Sequence, residues 1–362
     1  MKAKDGERMR DFRSAAARGV TPYVCGEQPT DRAYIKLNAN ENAYSPSPRV
    51  AEAVAAEVSR LQYYPDMTSA ALRGAIAAAH GVRPEQVYVG NGSDEVLAFT
   101  FLAFFAGERL SAPDLTYSFY PCYAKLFDVD YREVPLRADF TVDVDGLEAS
   151  GGGVILANPN APTSLELGQD AVRALALRLS GQDRLLVVDE AYAAFGEGTA
   201  IPLTQELDNV LVVRTLSKAH ALAGLRVGYA IGSEALIAAL QGVKDSVNSY
   251  PVDRIAAAAA QAAVEDEAYL RRTVSMICRT RDETARRLRA LGMTVLPSRT
   301  NFLFATHPLV QARALLAALR ADGILVRHFQ RPRLENFLRI TVGTDEQMDC
   351  VVQSLARALN AQ

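Results

Sequence analysis

The order of apolar and helical segments between residues 88 and 232 constrains the fold of this chain more than any other feature. Short β-branched or apolar runs, which lack strict polar alternation, alternate with longer segments of helical character. Such runs are typical of parallel strands that helices cover on both faces. The predicted strands are residues 86–89, 153–157, 184–188, 210–214 and 227–231, and the predicted helices are residues 95–105, 118–127 and 168–179. This rhythm predicts a doubly wound α/β domain with a mostly parallel sheet.

The remaining segments indicate two further parts of the chain. Beyond Asp253, two helical stretches precede strand-like runs at residues 302–305, 324–327 and 337–342 and a closing helix from Asp345. This pattern predicts a smaller α+β domain. The first 44 residues are rich in Pro, Asn and polar groups and indicate an extended arm. We therefore predict an N-terminal arm (residues 1–44) that packs with the small domain, a large domain (residues 45–265) and a small C-terminal domain (residues 266–362).

Charge and apolar patterning exclude several classes of partner. The net charge of −3 and the pI of about 5.9 leave no basic field to hold nucleic acid or an anionic membrane. The longest apolar run, residues 96–106, is far shorter than the ~20 residues that a bilayer-spanning helix needs. Residues 1–20 lack the apolar core of a secretion signal. We expect a soluble, cytoplasmic protein with neither nucleic acid nor membrane as a partner.

Cysteines and histidines show no metal-ligand spacing. The four cysteines, Cys25, Cys122, Cys278 and Cys350, include no CxxC pair and are expected to be free thiols. The four histidines have neither HxxxH nor HExxH spacing. No metal site is predicted.

A glycine-containing turn at residues 90–95 is a candidate phosphate site. Its sequence, Gly-Asn-Gly-Ser-Asp-Glu, follows a predicted strand and opens a predicted helix. Backbone N–H groups at a helix start, together with the positive end of the helix dipole, favour an anion there. The alternative is a simple turn with Ser93 as the N-cap. Glu95 stands where a dinucleotide fingerprint has its third glycine, which disfavours an NAD site.

Several side chains at predicted strand ends suit a planar, charged cofactor. Asp189 ends an apolar strand, and a buried carboxylate needs a cation such as a protonated pyridine nitrogen. A capping role is the alternative for Asp189. Tyr117, at a strand-to-helix turn, has the position to stack on a planar ring, or is an ordinary half-buried tyrosine. Residues 158–163, with two prolines and two asparagines, form a rigid turn at the edge where open α/β sheets bind ligands.

A lysine surrounded by hydroxyl groups and an arginine is the strongest candidate for chemistry. Thr215, Ser217 and Arg226 flank Lys218, so that a phosphate cup lies beside an amine nucleophile. Arg339 interrupts an otherwise apolar strand and is suited to a bidentate anion such as a carboxylate. The chain has neither a GxSxG elbow nor a phosphate-binding GxxxxGK[ST] loop.

Taken in order, these motifs resemble the histidinol-phosphate aminotransferases, a family of fold-type I enzymes that use pyridoxal 5'-phosphate (PLP). The SKA-to-GY block around Lys218 is specific to the enzyme class, and the LNANEN and LRITVGT motifs narrow the resemblance to this family. The matching stretches span nearly the whole chain and are residues 37–42, 64–66, 90–95, 158–163, 189–192, 215–228 and 338–344.

The resemblance implies a role for each matching residue. It makes Lys218 the Schiff-base lysine, Asp189 the partner of the pyridine nitrogen and Tyr117 the ring-stacking tyrosine. Asn158 and Tyr192 match the groups that hydrogen-bond the cofactor's phenolic oxygen. The matches to the phosphate cup are Gly92, Ser93, Asp94, Thr215, Ser217 and Arg226. The matches to the substrate side are Tyr23, Asn40, Asn301, Arg327 and Arg339, with Arg327 toward a substrate phosphate. Tyr64 resembles a tyrosine donated to the neighbouring subunit, which implies a homodimer.

Three departures from the family pattern bear on substrate geometry. Residues 160–164 read Asn-Ala-Pro-Thr-Ser instead of Asn-Asn-Pro-Thr-Gly, Ala43 replaces a proline, and His220 stands where phenylalanine is common. The implied reaction converts histidinol phosphate and 2-oxoglutarate to imidazole-acetol phosphate and glutamate. An aromatic or other amino-acid aminotransferase and a threonine-phosphate decarboxylase-like enzyme remain open. A non-catalytic PLP-binding regulator would need a DNA-binding segment, and the polar N-terminal residues supply no basic helix pair.

Overall fold

The computed structural model describes residues 11–23 and 26–360. Cys25, one of the four expected free thiols, lies outside the described residues. Within them, Cys122, Cys278 and Cys350 are free. None of the helices described is both long and apolar enough to cross a membrane.

Strands and helices alternate along most of the described chain. The strands are β1 (Ile35–Leu37), β2 (Val87–Gly90), β3 (Arg109–Pro113), β4 (Asp130–Val134), β5 (Gly153–Ala157), β6 (Leu186–Asp189), β7 (Val210–Thr215), β8 (Gly228–Ile231), β9 (Thr294–Val295), β10 (Phe302–Thr306), β11 (Ile324–His328) and β12 (Leu338–Thr341). The α-helices are α1 (Ala15–Gly19), α2 (Pro48–Val58), α3 (Ala70–His80), α4 (Gly92–Phe105), α5 (Tyr120–Leu126), α6 (Val144–Ala149), α7 (Gln169–Ser180), α8 (Glu234–Val247), α9 (Arg254–Glu265), α10 (Glu267–Ala290), α11 (Ala312–Ala321) and α12 (Asp345–Asn360).

Seven strands form the larger sheet, in the order β2-β8-β7-β6-β5-β3-β4. The five strands predicted from the sequence are present, and β8 runs antiparallel to both of its neighbours within a sheet that is otherwise parallel. The sequence patterns did not reveal β3 and β4. β3 starts at Arg109 and ends at Pro113, and β4 carries charged residues at the sheet edge, so neither is a continuous apolar run.

Helices cover both faces of the larger sheet, as the continuous apolar strands predict. Alternate residues of β6 face opposite sides: Leu186 and Val188 pack with α7 and α9, whereas Val187 packs with α4, α5 and α8. Both faces are therefore buried, and polar groups are displaced to the strand ends.

The second sheet has five strands in the order β1-β11-β12-β10-β9 and packs with α10, α11 and α12. β1 comes from the N-terminal segment and pairs in parallel with β11, with Ile35 opposite Ile324. The predicted arm is therefore not wholly extended, because it contains α1 and supplies a strand to the smaller sheet. This pairing holds residues 38–42, which follow β1, close to the C-terminal ends of the large-sheet strands.

Three parallel strands bring their carboxyl ends to one edge of the larger sheet. Ala157 at the end of β5 is opposite Asp189 at the end of β6, and Asp189 is opposite Val213 in β7. Open α/β sheets bind their ligands at this edge.

Candidate active site

A cavity of about 250 Å³ lies at this edge, between the larger sheet, the N-terminal arm and β12. Most of the residues predicted from the sequence line it: Tyr23, Asn40, Ser93, Asp94, Tyr117, Asp189, Tyr192, Thr215, Ser217, Lys218, Arg226 and Arg339. The predicted residues outside its lining are Gly92, Tyr64, Asn158, Asn301 and Arg327.

Lys218 extends into the cavity from the loop that follows β7. Its Nζ donates a hydrogen bond of 3.2 Å to the backbone oxygen of Ala39. Burial, together with the Arg339 guanidinium, lowers the pKa of Lys218 to about 8, because both disfavour the ammonium form. A larger fraction of neutral amine, the nucleophilic form, is therefore present near neutral pH than for an exposed lysine.

Asp189 is a buried carboxylate at the end of β6 and is only 4% exposed. It accepts hydrogen bonds from the Tyr120 hydroxyl at 2.7 Å and from the Ala191 backbone N–H at 3.2 Å. Burial nevertheless raises the pKa of Asp189 to about 6. Within the described part of the chain no Lys or Arg side chain pairs with Asp189. A protonated ring nitrogen is the cation that this position fits.

The turn from β2 into α4 forms one wall of an anion site. The helix begins at Gly92 with Asn91 as its N-cap, so Ser93 lies in the first turn and is not the cap. Backbone N–H groups of a first turn have no partner within the helix and favour an anion. Thr215 and Ser217 add hydroxyl groups from the loop after β7, where the Ser217 N–H donates to Thr215 Oγ1 at 3.1 Å.

Arg226 closes the anion site. Gly92 makes room for its guanidinium, and Gly228 makes room for the first turn of α4. The Arg226 guanidinium donates to Ser217 Oγ at 3.3 Å and to Asp94 Oδ2 at 2.8 Å. Gly92 has φ +80°, and a Cβ there would lie 2.6 Å from Arg226 Nη2. A Cβ at Gly228 would lie 2.3 Å from the Ser93 backbone nitrogen. Hydroxyl groups, free N–H groups and a guanidinium together are the donor set that a phosphate monoester requires.

Tyr117 lies beside this cup. Its hydroxyl donates to Asp94 Oδ1 at 2.7 Å, and its ring packs edge-on against Tyr120 with the centroids 5.6 Å apart. Burial, with Asp94 adding to the effect, raises the pKa of Tyr117 well above its usual value, so the side chain is a neutral phenol.

The arm segment at residues 38–42 contacts the reactive end of the cavity. Asn42 Nδ2 donates to the backbone oxygens of Lys218 and Ala219, at 2.9 and 3.1 Å. Asn301, expected to close over the substrate, is fully buried, and its Nδ2 donates to the Asn40 backbone oxygen at 3.0 Å. The structure therefore places Asn301 behind the arm, where it holds residue 40 instead of facing the cavity.

Two arginines of the smaller sheet lie side by side. Arg327 in β11 is directly opposite Arg339 in β12, so their side chains share one face of the sheet. The two guanidinium carbons are 5.6 and 5.4 Å from the centroid of the same Phe329 ring. Arg339 lines the main cavity, Arg327 lines an adjacent one, and Tyr23 lines both. Because like charges at opposite positions are destabilising, this pair suits anionic ligands.

The side chain of Asn158 bonds to the loop after β5 and is not among the residues that line the cavity. Its Nδ2 donates to the Leu167 backbone oxygen at 2.9 Å, and its Oδ1 accepts from the Leu167 N–H at 2.8 Å. Both ends of the amide thus bond to the loop after β5. Ala161 and Tyr192 line the cavity instead. The turn at residues 158–163 is present, and the cofactor contact expected for Asn158 stays a prediction, since Nδ2 has a second hydrogen to donate.

Several contributors to the site were not singled out individually by sequence reasoning, and three of them illustrate why. Tyr120 donates to Asp189, Ala39 accepts from Lys218, and Ala161 lines the cavity. No spacing in the sequence shows that Tyr120, at the start of α5, faces the end of β6. A backbone acceptor such as Ala39 leaves no residue-type signal at all.

The fold and the site together define a fold-type I, PLP-dependent aminotransferase. The structure is similar to the histidinol-phosphate aminotransferase from Sinorhizobium meliloti in complex with pyridoxal-5'-phosphate, with a TM-score of 0.83 and 29% identity over 91% of this chain and 92% of that chain. It is also similar to a putative histidinol-phosphate aminotransferase from Erwinia carotovora atroseptica, with a TM-score of 0.82 and 27% identity over 90% and 95% of the two chains.

Sequence comparisons narrow the assignment. Residues 32–355 match the family model of class I and II aminotransferases. Histidinol-phosphate aminotransferase 1 of Bradyrhizobium diazoefficiens is 52% identical over 348 residues, which cover 96% of this chain and 99% of that protein. Histidinol-phosphate aminotransferase 1 of Bordetella parapertussis is 50% identical over 347 residues, which cover 94% and 97%. The chain belongs to the histidinol-phosphate aminotransferase family.

Proposed function

We propose that this enzyme transfers the amino group of histidinol phosphate to 2-oxoglutarate, which yields imidazole-acetol phosphate and glutamate in histidine biosynthesis. The observation that carries the substrate assignment is the pair formed by Arg327 and Arg339 beside the cavity that holds Lys218. Histidinol phosphate has a phosphate and no carboxylate, whereas glutamate has two carboxylates. Two neighbouring guanidiniums suit both substrates, and one would suffice for the α-carboxylate of a simple amino acid.

Each of the main residues of the cavity has a separate role in transamination. PLP, when bound, supplies an electron sink for the negative charge that develops at the substrate Cα. Asp189 holds the proton on the ring nitrogen, and Tyr120 fixes the carboxylate for this task. Lys218 Nζ carries the cofactor and then moves the proton to and from Cα, which its depressed pKa permits near neutral pH. Tyr117 and Tyr192 bracket the ring as its stacking and phenolic-oxygen partners.

The phosphate cup anchors the cofactor at the opposite side. Ser93, Thr215, Ser217 and Arg226 supply its donors, while Gly92 and Asp94 set the geometry of the turn and of the guanidinium. Asn158 stabilises the adjoining loop through Leu167. Tyr23 and Arg339 face the substrate, and Arg327 takes the substrate phosphate.

The domain division and the cellular location are part of this proposal. We infer an arm (residues 1–44) that packs with a small domain (residues 266–362), and a large cofactor-binding domain (residues 45–265). The pairing of β1 with β11 supports the first assignment, and the separation of the two sheets supports the second. Free thiols at Cys122, Cys278 and Cys350 are consistent with a cytoplasmic, reducing compartment.

We further infer a homodimer in which Tyr64 completes the partner subunit's cup. Tyr64 is 79% exposed and stacks on Tyr250 with the ring centroids 4.8 Å apart. Tyr63 and Met67 are exposed nearby. Arg254 donates to the Tyr64 backbone oxygen at 2.8 Å, so the loop is held in place although its side chains face solvent. Exposed aromatic clusters of this kind mark interaction surfaces.

Mixing two inactive variants tests the composite site. Tyr64→Phe and Lys218→Ala subunits should form hybrid dimers in which one site carries both lesions and the other carries neither. About a quarter of the sites should then be intact after random exchange, so activity should rise above that of either variant alone. Tyr63→Phe, a change at the neighbouring exposed tyrosine, is the matched control: it should keep its activity, and mixing it with Lys218→Ala subunits should cause no increase. A monomer in sedimentation that retains full PLP affinity would refute the arrangement.

The substrate assignment is tested by steady-state kinetics. Histidinol phosphate and phenylalanine, each supplied with 2-oxoglutarate, should differ in kcat/KM in favour of histidinol phosphate. A preference for phenylalanine would move the assignment to an aromatic aminotransferase.

A further inference from the structure

The amide of Asn40 forms a buried hydrogen bond with a tyrosine of the cavity. Asn40 Nδ2 donates to Tyr192 Oη at 2.8 Å. Asn40 is 1% exposed and Tyr192 is 9% exposed, so water does not compete for this bond. Asn40 belongs to the arm segment, whereas Tyr192 follows β6 of the larger sheet. The bond therefore connects the arm to the cofactor-binding edge.

The surroundings of Asn40 fix the orientation of its amide. The Asn40 backbone N–H donates to Thr341 Oγ1 at 3.0 Å, and the Thr341 hydroxyl donates to Asn40 Oδ1 at 3.2 Å. Asn301 holds the backbone oxygen of Asn40 from a third direction. Reversing the amide would leave the hydroxyl hydrogen of Thr341, a residue only 2% exposed, without this acceptor. The oxygen of the amide thus faces Thr341 and its nitrogen faces Tyr192.

This orientation determines where the Tyr192 hydroxyl hydrogen points. A phenol has one hydrogen to donate and accepts through its lone pairs. Because Asn40 occupies a lone pair, the hydrogen is directed away from Asn40. Within residues 11–23 and 26–360, Tyr192 Oη donates to no protein acceptor, and Tyr192 lines the cavity. Accepting one hydrogen bond also strengthens the hydroxyl as a donor.

The Tyr192 hydroxyl is a candidate donor to the phenolic oxygen of the cofactor. Ala161 also lines the cavity, belongs to the same buried apolar cluster as Tyr192 and has no donor in its side chain. The Asn158 amide donates one of its two hydrogens to the Leu167 backbone oxygen. In PLP the phenolic oxygen is on the ring carbon next to the one that carries the aldehyde group, on the side away from the phosphate arm. The Tyr192 hydroxyl is therefore suited to donate to that oxygen.

We propose that Asn40, expected from the sequence to bind substrate, is instead a positioning residue that aims the Tyr192 hydroxyl at the cofactor's phenolic oxygen. The proposal rests on the proposed function, since it requires bound PLP. It also makes the arm and β12 part of the cofactor site, because Thr341 and Asn301 hold the amide that holds Tyr192.

The test is a pH titration of the visible absorbance of PLP bound to the enzyme. A hydrogen bond to the phenolic oxygen stabilises the cofactor's more negative protonation state, so loss of the donor shifts the midpoint to higher pH. Tyr192→Phe should produce the full shift. Asn40→Gly removes the amide and tolerates the φ of +55° at this position, which most residues do not. It should shift the midpoint in the same direction by roughly half a pH unit to one unit.

A double variant separates positioning from a general structural effect. In the Tyr192→Phe background, Asn40→Gly should cause no further shift, because there is no hydroxyl left to aim. The charged neighbours of Tyr192, Arg339 and Asp189, are unchanged in all these variants. Thr341→Val, which keeps the side-chain shape and removes the hydroxyl that holds Asn40, should give a smaller upward shift. If Asn40→Gly does not fold, the midpoint of Thr341→Val tests the positioning role of Asn40 in its place.

The possible results are distinct. A wild-type midpoint in Asn40→Gly or, failing that variant, in Thr341→Val, overturns the proposal, as does a shift that persists undiminished without the Tyr192 hydroxyl. If the wild-type protein binds no PLP and shows no visible band, the proposed function itself fails. If wild type and Tyr192→Phe behave as expected and only the Asn40 prediction fails, the proposed function stands and Asn40 is structural.

Discussion

The Asp189→Asn variant should retain PLP but lose activity by about 2–4 kcal/mol in the transition state, which is a ~30- to ~1000-fold loss in kcat. The amide cannot hold the proton on the ring nitrogen, so the electron sink weakens. The phosphate cup and Lys218 are untouched, which explains why binding persists. Steady-state kinetics with saturating PLP measure the loss. Asp170→Asn, at an exposed aspartate in the first turn of α7, is the control and should be normal.

The same substitution should have the opposite effect on stability without cofactor. The folded-state pKa of Asp189, about 6, lies above its usual 3.8, so the folded protein binds more protons than the unfolded chain between these values. Stability should therefore fall as pH rises from about 4 to 6, by roughly 3 kcal/mol for two pKa units. The Asp189→Asn variant does not titrate at this position and so avoids this loss of stability. It loses about 1 kcal/mol, however, because its NH₂ group cannot accept one of the hydrogen bonds that the carboxylate accepts.

Thermal unfolding of the PLP-free protein, measured as a function of pH, tests this prediction about stability. At pH 8 the Asp189→Asn protein should be more stable than wild type by roughly 2 kcal/mol. Below about pH 4 this advantage should be lost, and the variant should be less stable than wild type by about 1 kcal/mol. Near-normal turnover together with no gain in stability would show that Asp189 is only a structural carboxylate.

The Arg327→Ala variant should lower kcat/KM for histidinol phosphate by about 2–4 kcal/mol, or ~30- to ~1000-fold, because it removes a charge-assisted contact to the phosphate. The effect on phenylalanine should be much smaller, since Arg339 remains to bind the α-carboxylate. Removing one of two opposed guanidiniums also relieves their mutual repulsion.

The comparison must be made on both substrates with a matched control. Arg331→Ala, four residues further along the chain, removes a surface arginine that pairs with Glu133 at 3.3 Å outside both cavities. It should leave both rates unchanged. Equal losses on histidinol phosphate and phenylalanine in Arg327→Ala would contradict the assignment of Arg327 to the phosphate.

Sequence patterns predicted the sheet best where both faces of a strand are buried. β5, β6 and β7 are continuous apolar runs, and their predicted bounds lie within two residues of the observed ones. β3 and β4 were missed because Arg109, Pro113 and the charged residues of an edge strand break the apolar signal. The reversed direction of β8 was also not predictable, since residue types do not encode strand direction.

The site was predicted where a residue type is rare in its surroundings. Lys218 beside hydroxyl groups, Asp189 after an apolar strand and Arg339 within one are conspicuous in sequence, and all three line the cavity. Asn158 and Asn301 were placed by motif alone. Their amides bond to backbone groups of Leu167 and Asn40, because an asparagine in a buried turn bonds whichever backbone lies nearest.

The measurement that tests the account most directly is borohydride reduction of the yellow, PLP-bound protein followed by peptide mapping. The phosphopyridoxyl group should be found on Lys218, whose amine is buried at the strand ends beside the phosphate cup. Two other lysines are the alternatives. Lys36 lines the cavity but pairs with Glu41 at 2.7 Å, and Lys244 is buried and donates to the backbone oxygens of Met67 and Ser249. A label on Lys36 or Lys244, or no label at all, would contradict the account.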